Sequence, residues 1–171
     1  MIAQTSTALS RKCATRALLS RRHLSLLAVV LMAFGCRGVP APDLQTAAEH
    51  NDVEAMKSLI SKGAAIGVPD KLGYTPLHAA SISGSDNAAE YLIANGASVD
   101  APDGLGHSPL WAAAINGNES TVQLLLKHGA KPRPVSNAGV TLIQEMDNLQ
   151  QVGRGKPSYP AIKSMLESAP K

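Results

Sequence analysis

The stretch Thr75-Pro76-Leu77-His78-Ala79-Ala80 returns 33 residues later as Ser108-Pro109-Leu110-Trp111-Ala112-Ala113. Residues 71–103 and 104–136 align without a gap and are identical at 11 of 33 positions. Weaker matches in the same frame reach back to Leu44 and forward to Thr141, which gives about three and a half units. A fixed period of this length predicts a solenoid, in which each unit buries its apolar face only against its neighbours.

Each unit is predicted to form a turn followed by two short antiparallel helices. In the second unit, Thr75 is a typical N-terminal cap, and Pro76 suits the first helical position because no amide hydrogen is needed there. Gly84 is expected to end the first helix, and Gly96 the second, since glycine tolerates the left-handed conformation that ends many helices. Equivalent residues recur 33 positions later, so the third unit is predicted to fold in the same way.

The Thr-Pro-Leu-His string, the paired glycines and the 33-residue length resemble the ankyrin repeat. This resemblance implies an all-α solenoid of stacked helix-turn-helix units, connected by short β-turns, over roughly Asp43 to Ala169. The fourth unit departs most, because Thr141-Leu142-Ile143-Gln144 replaces the string and its second helix, near 161–169, fits only after about seven extra residues within 149–160. The predicted units are 43–70, 71–103, 104–136 and 137–171.

The first 42 residues have a different composition. Five basic residues precede an apolar run at 24–34, which has the length of a signal-peptide core and is too short to span a bilayer as a helix. We expect residues 1–35 to be a signal peptide and 36–42 a linker. Cys36 resembles the lipid-acceptor cysteine of bacterial lipoproteins, which implies acylation and a membrane anchor in the cell envelope. The alternative is ordinary cleavage that leaves a soluble periplasmic protein.

The charge of the chain is unevenly distributed. The formal net charge is +3, but five of the 16 basic residues and none of the 13 acidic residues precede Cys36. From Cys36 onward the chain has 11 basic and 13 acidic residues, which gives a net charge of −2. The net positive charge of the whole chain therefore comes from the leader, and no nucleic-acid partner is predicted for the repeats.

The sequence contains no strong catalytic, metal or cofactor motif, so a non-catalytic protein is predicted. The resemblance implies a structural, hydrogen-bonding role for His78. A small hydrolase that uses Ser108 with His107 is a minor alternative, since the closing glycine of a nucleophile elbow is missing and Ser108 falls at a cap position. The glycine- and lysine-containing stretch 153–156 lacks phosphate-loop spacing and is interpreted as a solvated basic loop.

The resemblance implies that a monomer binds another protein on the concave face, formed by turn tips and first helices. The residues that map onto this face are Lys71, Leu72, Tyr74, Ile82, Ser83, Leu105, His107, Ile115 and Asn116. Leu72 and Leu105 have an alternative role in packing against the next turn. Trp111, the only tryptophan, is interpreted mainly as a packing residue and alternatively as a binding hot spot. A narrower hypothesis is an inhibitor or immunity protein that sequesters a toxic enzyme in the periplasm.

Overall fold

The computed structural model describes residues 43–169, which form four pairs of α-helices. This confirms the all-α repeat architecture expected from the sequence. The helices are α1 Leu44–Glu49, α2 Val53–Ser61, α3 Pro76–Ser83, α4 Asp86–Ala94, α5 Pro109–Asn116, α6 Glu119–Lys127, α7 Leu142–Gln151 and α8 Tyr159–Ser168. The predicted signal peptide, the linker and Cys36 lie outside the described residues. No helix within 43–169 is long and apolar enough to cross a membrane.

The first helix of each unit begins at a polar cap, as the sequence predicts. Ser108 Oγ accepts a hydrogen bond from the Trp111 amide at 3.3 Å, and Asp43 accepts one from Thr46 at 2.7 Å. The same helices end at a left-handed residue, which is Gly84 (φ 72°) in the second unit. Asn51 (φ 57°) holds this position in the first unit, since asparagine tolerates the left-handed region better than most residues. Local chemistry therefore defines where these helices start and stop.

The core is a continuous row of buried side chains that passes through all four units. Leu77, Leu92, Leu110 and Leu125 are at most 1% exposed. Alanine pairs on α3 and α5 let consecutive first helices approach closely, and α3 packs between α1 and α5. Because each unit alone is too small to bury its apolar face, stacking supplies most of the stabilising burial.

Polar side chains join each unit to the one before it. Ser85 Oγ donates a hydrogen bond to the Glu49 carbonyl at 3.0 Å. The amide of Asn118, which lies 33 residues later, donates to the Ser81 and Ile82 carbonyls at 2.8 and 2.9 Å. The accepting carbonyls lie at the ends of first helices and have no partner within the helix. We call these contacts the inter-unit bonds.

The fourth unit makes its inter-unit bonds from the start of its second helix, where Ser158 holds the capping position that Ser85 and Asn118 hold in the other units. Ser158 Oγ donates to the Gly117 carbonyl at 3.0 Å, and Tyr159 Oη donates to the Ile115 carbonyl at 2.9 Å. Tyr159 is 1% exposed and begins α8, two residues before the start expected from the sequence. Tyr159 is therefore a core residue, and burial raises its pKa above the usual value near 10.

Candidate functional site

The turn tips of the second and third units are built around one aspartate each. Asp70 Oδ1 accepts hydrogen bonds from the Leu72 and Tyr74 amides at 2.8 and 2.9 Å. Asp103 Oδ1, one repeat later, accepts the equivalent bonds from Leu105 and His107 at 2.8 and 2.7 Å. These bonds fix the backbone of each tip, so the side chains that project from it are held in place.

Adjacent tips are bonded to each other as well. The Gly104 amide donates to the Leu72 carbonyl at 3.0 Å, and the Asn137 amide donates to the Leu105 carbonyl at 2.9 Å. The three tips therefore form one continuous rim along the array. A surface held by main-chain bonds loses little conformational entropy when a partner binds to it.

His78 connects this rim to the first helices. The Thr75 amide donates to His78 Nδ1 at 3.1 Å, so Nε2 carries the hydrogen and donates to the His107 carbonyl at 3.1 Å. The side chain is fully buried, and burial lowers its pKa below the ordinary value of 6.5, although the His107 carbonyl and the Asp103 charge oppose this shift. His78 has the structural, hydrogen-bonding role that the resemblance implied.

A cavity of about 250 Å³ opens between the rim and the first helices of the second to fourth units. We call this cavity the groove. Its lining residues are Tyr74, Ile82, Asp103, Leu105, His107, Trp111, Ala112, Ile115, Asn116 and Glu145. Six of the nine predicted binding residues line it, whereas Lys71, Leu72 and Ser83 are exposed outside it.

The apolar residues at the edge of the groove are open to solvent. Leu105 is 62% exposed and Ile82 is 40% exposed, and Leu72 on the neighbouring tip is 67% exposed. The two tip leucines therefore do not bury themselves against the next turn, which was the alternative interpretation. Exposed apolar side chains that converge on a concave surface mark interaction sites more often than isolated ones do.

The floor of the groove is aromatic. The rings of His107 and Trp111 stack with centroids 4.5 Å apart and planes 17° from parallel. His107 Nδ1 also lies 3.4 Å from Asp103 Oδ2. Trp111 is only 5% exposed, which agrees with the packing role predicted for it, while its edge still forms part of the cavity surface.

Sequence reasoning missed Glu145, which closes the groove from the fourth unit. Counting back in steps of 33 residues from Glu145 gives Ala112 and then Ala79, so a carboxylate replaces the small residue that lets first helices approach. Helix α7 also packs less closely on α5 than α5 packs on α3. The change from alanine to glutamate is visible in the repeat alignment, but only the packing between the third and fourth units shows that Glu145 lines the groove.

The chemistry available to Ser108 is that of a cap. Its hydroxyl accepts from the Trp111 amide, and its side chain makes no hydrogen bond to His107 in the described part of the chain. The stretch 153–156 follows α7, where the Arg154 amide donates to the Leu149 carbonyl at 2.8 Å and so ends that helix. Within residues 43–169 no three His, Cys, Asp or Glu side chains are grouped to hold a metal ion.

Comparison with known proteins agrees with this architecture. The family model described as ankyrin repeats (3 copies) matches residues 44–135. A search of the curated proteins gives no match. The matched segment covers the first helix pair and the two regular helix pairs, and it ends before the turn that precedes α7. The chain belongs to the ankyrin-repeat family.

Proposed function

We propose that this protein is an exported, lipid-anchored module that binds another protein in the groove and catalyses no reaction. Ankyrin repeats generally mediate protein–protein interaction, and the family is typically non-catalytic. The observation that carries the proposal for this chain is the groove itself, in which exposed Ile82 and Leu105 flank a rigid concave surface. Exposed apolar side chains next to aromatic and polar ones, as at this groove, are usual in protein interfaces.

The geometry around Ser108 supports the non-catalytic part of the proposal. A nucleophilic serine needs a base within hydrogen-bond reach and a free hydroxyl, whereas the Ser108 hydroxyl caps α5 and is 7% exposed. The nearby His107 ring stacks on Trp111 and faces Asp103. Each of these polar groups already has a structural partner.

The binding proposal is tested with a photoreactive amino acid placed at Ile82 in the full chain in its native host. A crosslinked partner is identified, purified and titrated against I82D/L105D. The double variant should weaken binding at least tenfold, because charges placed at these apolar contact positions must be desolvated when the partner binds. V152D is the matched control, since Val152 is 69% exposed and does not line the groove. Equal loss in both variants, or no loss in either, contradicts the proposed site.

Export and anchoring rest on the leader sequence. Metabolic labelling with a fatty-acid analogue should mark the wild-type chain and leave Cys36→Ala unmarked, and fractionation should recover the wild type with the cell envelope. Equal labelling of both chains would refute the anchor. Recovery in the cytosol with the first 35 residues intact would refute export.

A further inference from the structure

One end of the groove combines an acidic side chain with aromatic surface. Glu145 lines the cavity from α7, and the stacked rings of His107 and Trp111 line the same cavity. No lysine or arginine lies among the residues that line this cavity. The carboxylate of Glu145 has no ion-pair or hydrogen-bond partner within residues 43–169. A charge in this position is left for a ligand to neutralise.

The fold does not require this carboxylate. Its counterparts one and two repeats earlier are alanines, which favour close helix packing. An acidic residue in the first turn of α7 does interact favourably with the helix dipole, but such an effect is small at a solvated site and is shared by any acidic residue of that turn. The other groove carboxylate, Asp103, is bonded to two main-chain amides and faces His107. Glu145 is therefore the charge available for recognition.

The size of the cavity indicates a single side chain as its occupant. Its volume, about 250 Å³, lies below the roughly 300–1,000 Å³ of small-molecule sites. The charge of the chain after Cys36 is −2, which favours a basic partner. Among basic side chains, arginine combines a flat face that stacks on aromatic rings with a fork of donors that matches a carboxylate.

We propose that the groove takes an arginine side chain from the partner protein, with its guanidinium against the His107–Trp111 pair and bonded to the Glu145 carboxylate. This rests on the proposed function, because the arginine belongs to the protein held by Ile82 and Leu105. The neighbouring apolar residues then contact the segment on either side of that arginine. Lysine should bind less well, since it is a compact, strongly hydrated charge without a flat face.

The test uses random displayed peptides selected on the purified full chain in mild detergent, with peptides that also bind I82D/L105D removed. The remaining peptides should share an arginine. Replacing that arginine by glutamine should weaken binding of the chosen peptide about tenfold, and E145Q should weaken the unmodified peptide by a similar factor. In the E145Q chain, the arginine replacement should have little further effect, because the pair is already broken.

The matched control is E90Q, which removes an exposed carboxylate on α4 that does not line the groove. It should leave peptide binding unchanged, and E145Q should unfold at the same urea concentration as the wild type. Three results overturn the inference and leave the proposed function standing. The first is that the peptides that depend on the groove lack arginine. The second is that a peptide binds equally well after its arginine is replaced by lysine, and the third is that the arginine replacement and E145Q have additive effects. If no peptide depends on Ile82 and Leu105, the proposed function fails, and this inference fails with it.

Discussion

Replacing His78 tests how strongly one buried side chain couples adjacent units. His78→Leu introduces an apolar side chain of similar bulk and removes His78 Nδ1, the one acceptor of the Thr75 amide within residues 43–169. An unsatisfied buried amide costs about 1–3 kcal/mol. The His107 carbonyl loses a bond worth about 1 kcal/mol but keeps the one from the Asp103 amide at 2.8 Å. We expect a loss of about 2–4 kcal/mol from a total typically between about 5 and 15 kcal/mol.

His78→Gln should cost less, about 1 kcal/mol. The fourth unit shows why: Gln144 Oε1 accepts from the Thr141 amide at 2.9 Å and reproduces the acceptor half of the His78 contacts. Glutamine at position 78 can therefore satisfy the Thr75 amide, while the bond to the His107 carbonyl is lost. The order of stability should be wild type, then H78Q, then H78L.

The same residue predicts a dependence on pH. Because burial lowers the pKa of His78 in the folded chain, the unfolded chain binds a proton first as the pH falls below about 6.5. Between the unfolded and folded pKa values the unfolded state holds more protons, so the free energy of unfolding decreases with falling pH over that range. Protonation of Nδ1 would also remove the acceptor of the Thr75 amide, because two hydrogen-bond donors would then face each other. The wild type should lose more stability than H78Q between pH 7.5 and pH 5.

Urea titrations followed by the fluorescence of Trp111, the only tryptophan, measure both effects. His128→Gln is the control, since His128 is exposed at the end of α6. A destabilisation of H78L below about 0.5 kcal/mol, within the range of ordinary surface substitutions, would refute the coupling role. Equal pH dependence in the wild type and H78Q would refute the buried neutral histidine.

Three further substitutions test the junctions between units by the same titration. Asn118→Ala removes two inter-unit bonds and should cost about 1–3 kcal/mol, whereas Asn116→Ala, which removes an exposed bond within α5, should cost under about 0.5 kcal/mol. Gly106→Ala should cost about 2–4 kcal/mol, because its φ is 83° and the new Cβ would lie 2.8 Å from the main-chain nitrogen of Asn137. Its control, Gly129→Ala, should cost only about 1 kcal/mol, because Gly129 has a similar φ of 86° but open space around the new Cβ. Tyr159→Phe deletes the bond to the Ile115 carbonyl and should cost about 1 kcal/mol, and a cost near zero would mean that this bond does not stabilise the junction.

The sequence predicts helix ends and repeat boundaries well because local chemistry determines them. A cap such as Thr75 and a left-handed glycine such as Gly84 act on their own helix, so a 33-residue period places them without knowledge of neighbouring units. Gln144 is another local example: it holds the repeat position of His78, and its side chain accepts a hydrogen bond from the amide of the capping residue Thr141. The second helix of the fourth unit was placed two residues late because the insertion has no counterpart in the other units.

The groove was predicted only in part because it depends on distances between units. Tyr74 and Ile82 follow from the concave face that the family implies. Glu145 does not, because its place on the cavity wall depends on how closely α7 packs on α5, and the repeat period alone does not predict that distance. The exposure of Leu105 likewise depends on where the following tip lies. Whether these residues bind a partner stays a prediction.

The inter-unit bonds have a consequence for how arrays of this kind lengthen. Ser85 and Asn118 occupy the same repeat position, so a duplicated copy of residues 71–103 would bring its own donor to the junction and stack in frame. In the fourth unit Ser158, which also caps a second helix, donates the equivalent bond, and Tyr159 adds another. Every junction between units thus uses a donor at one repeat position, and new copies can be accepted inside the array without a new kind of contact.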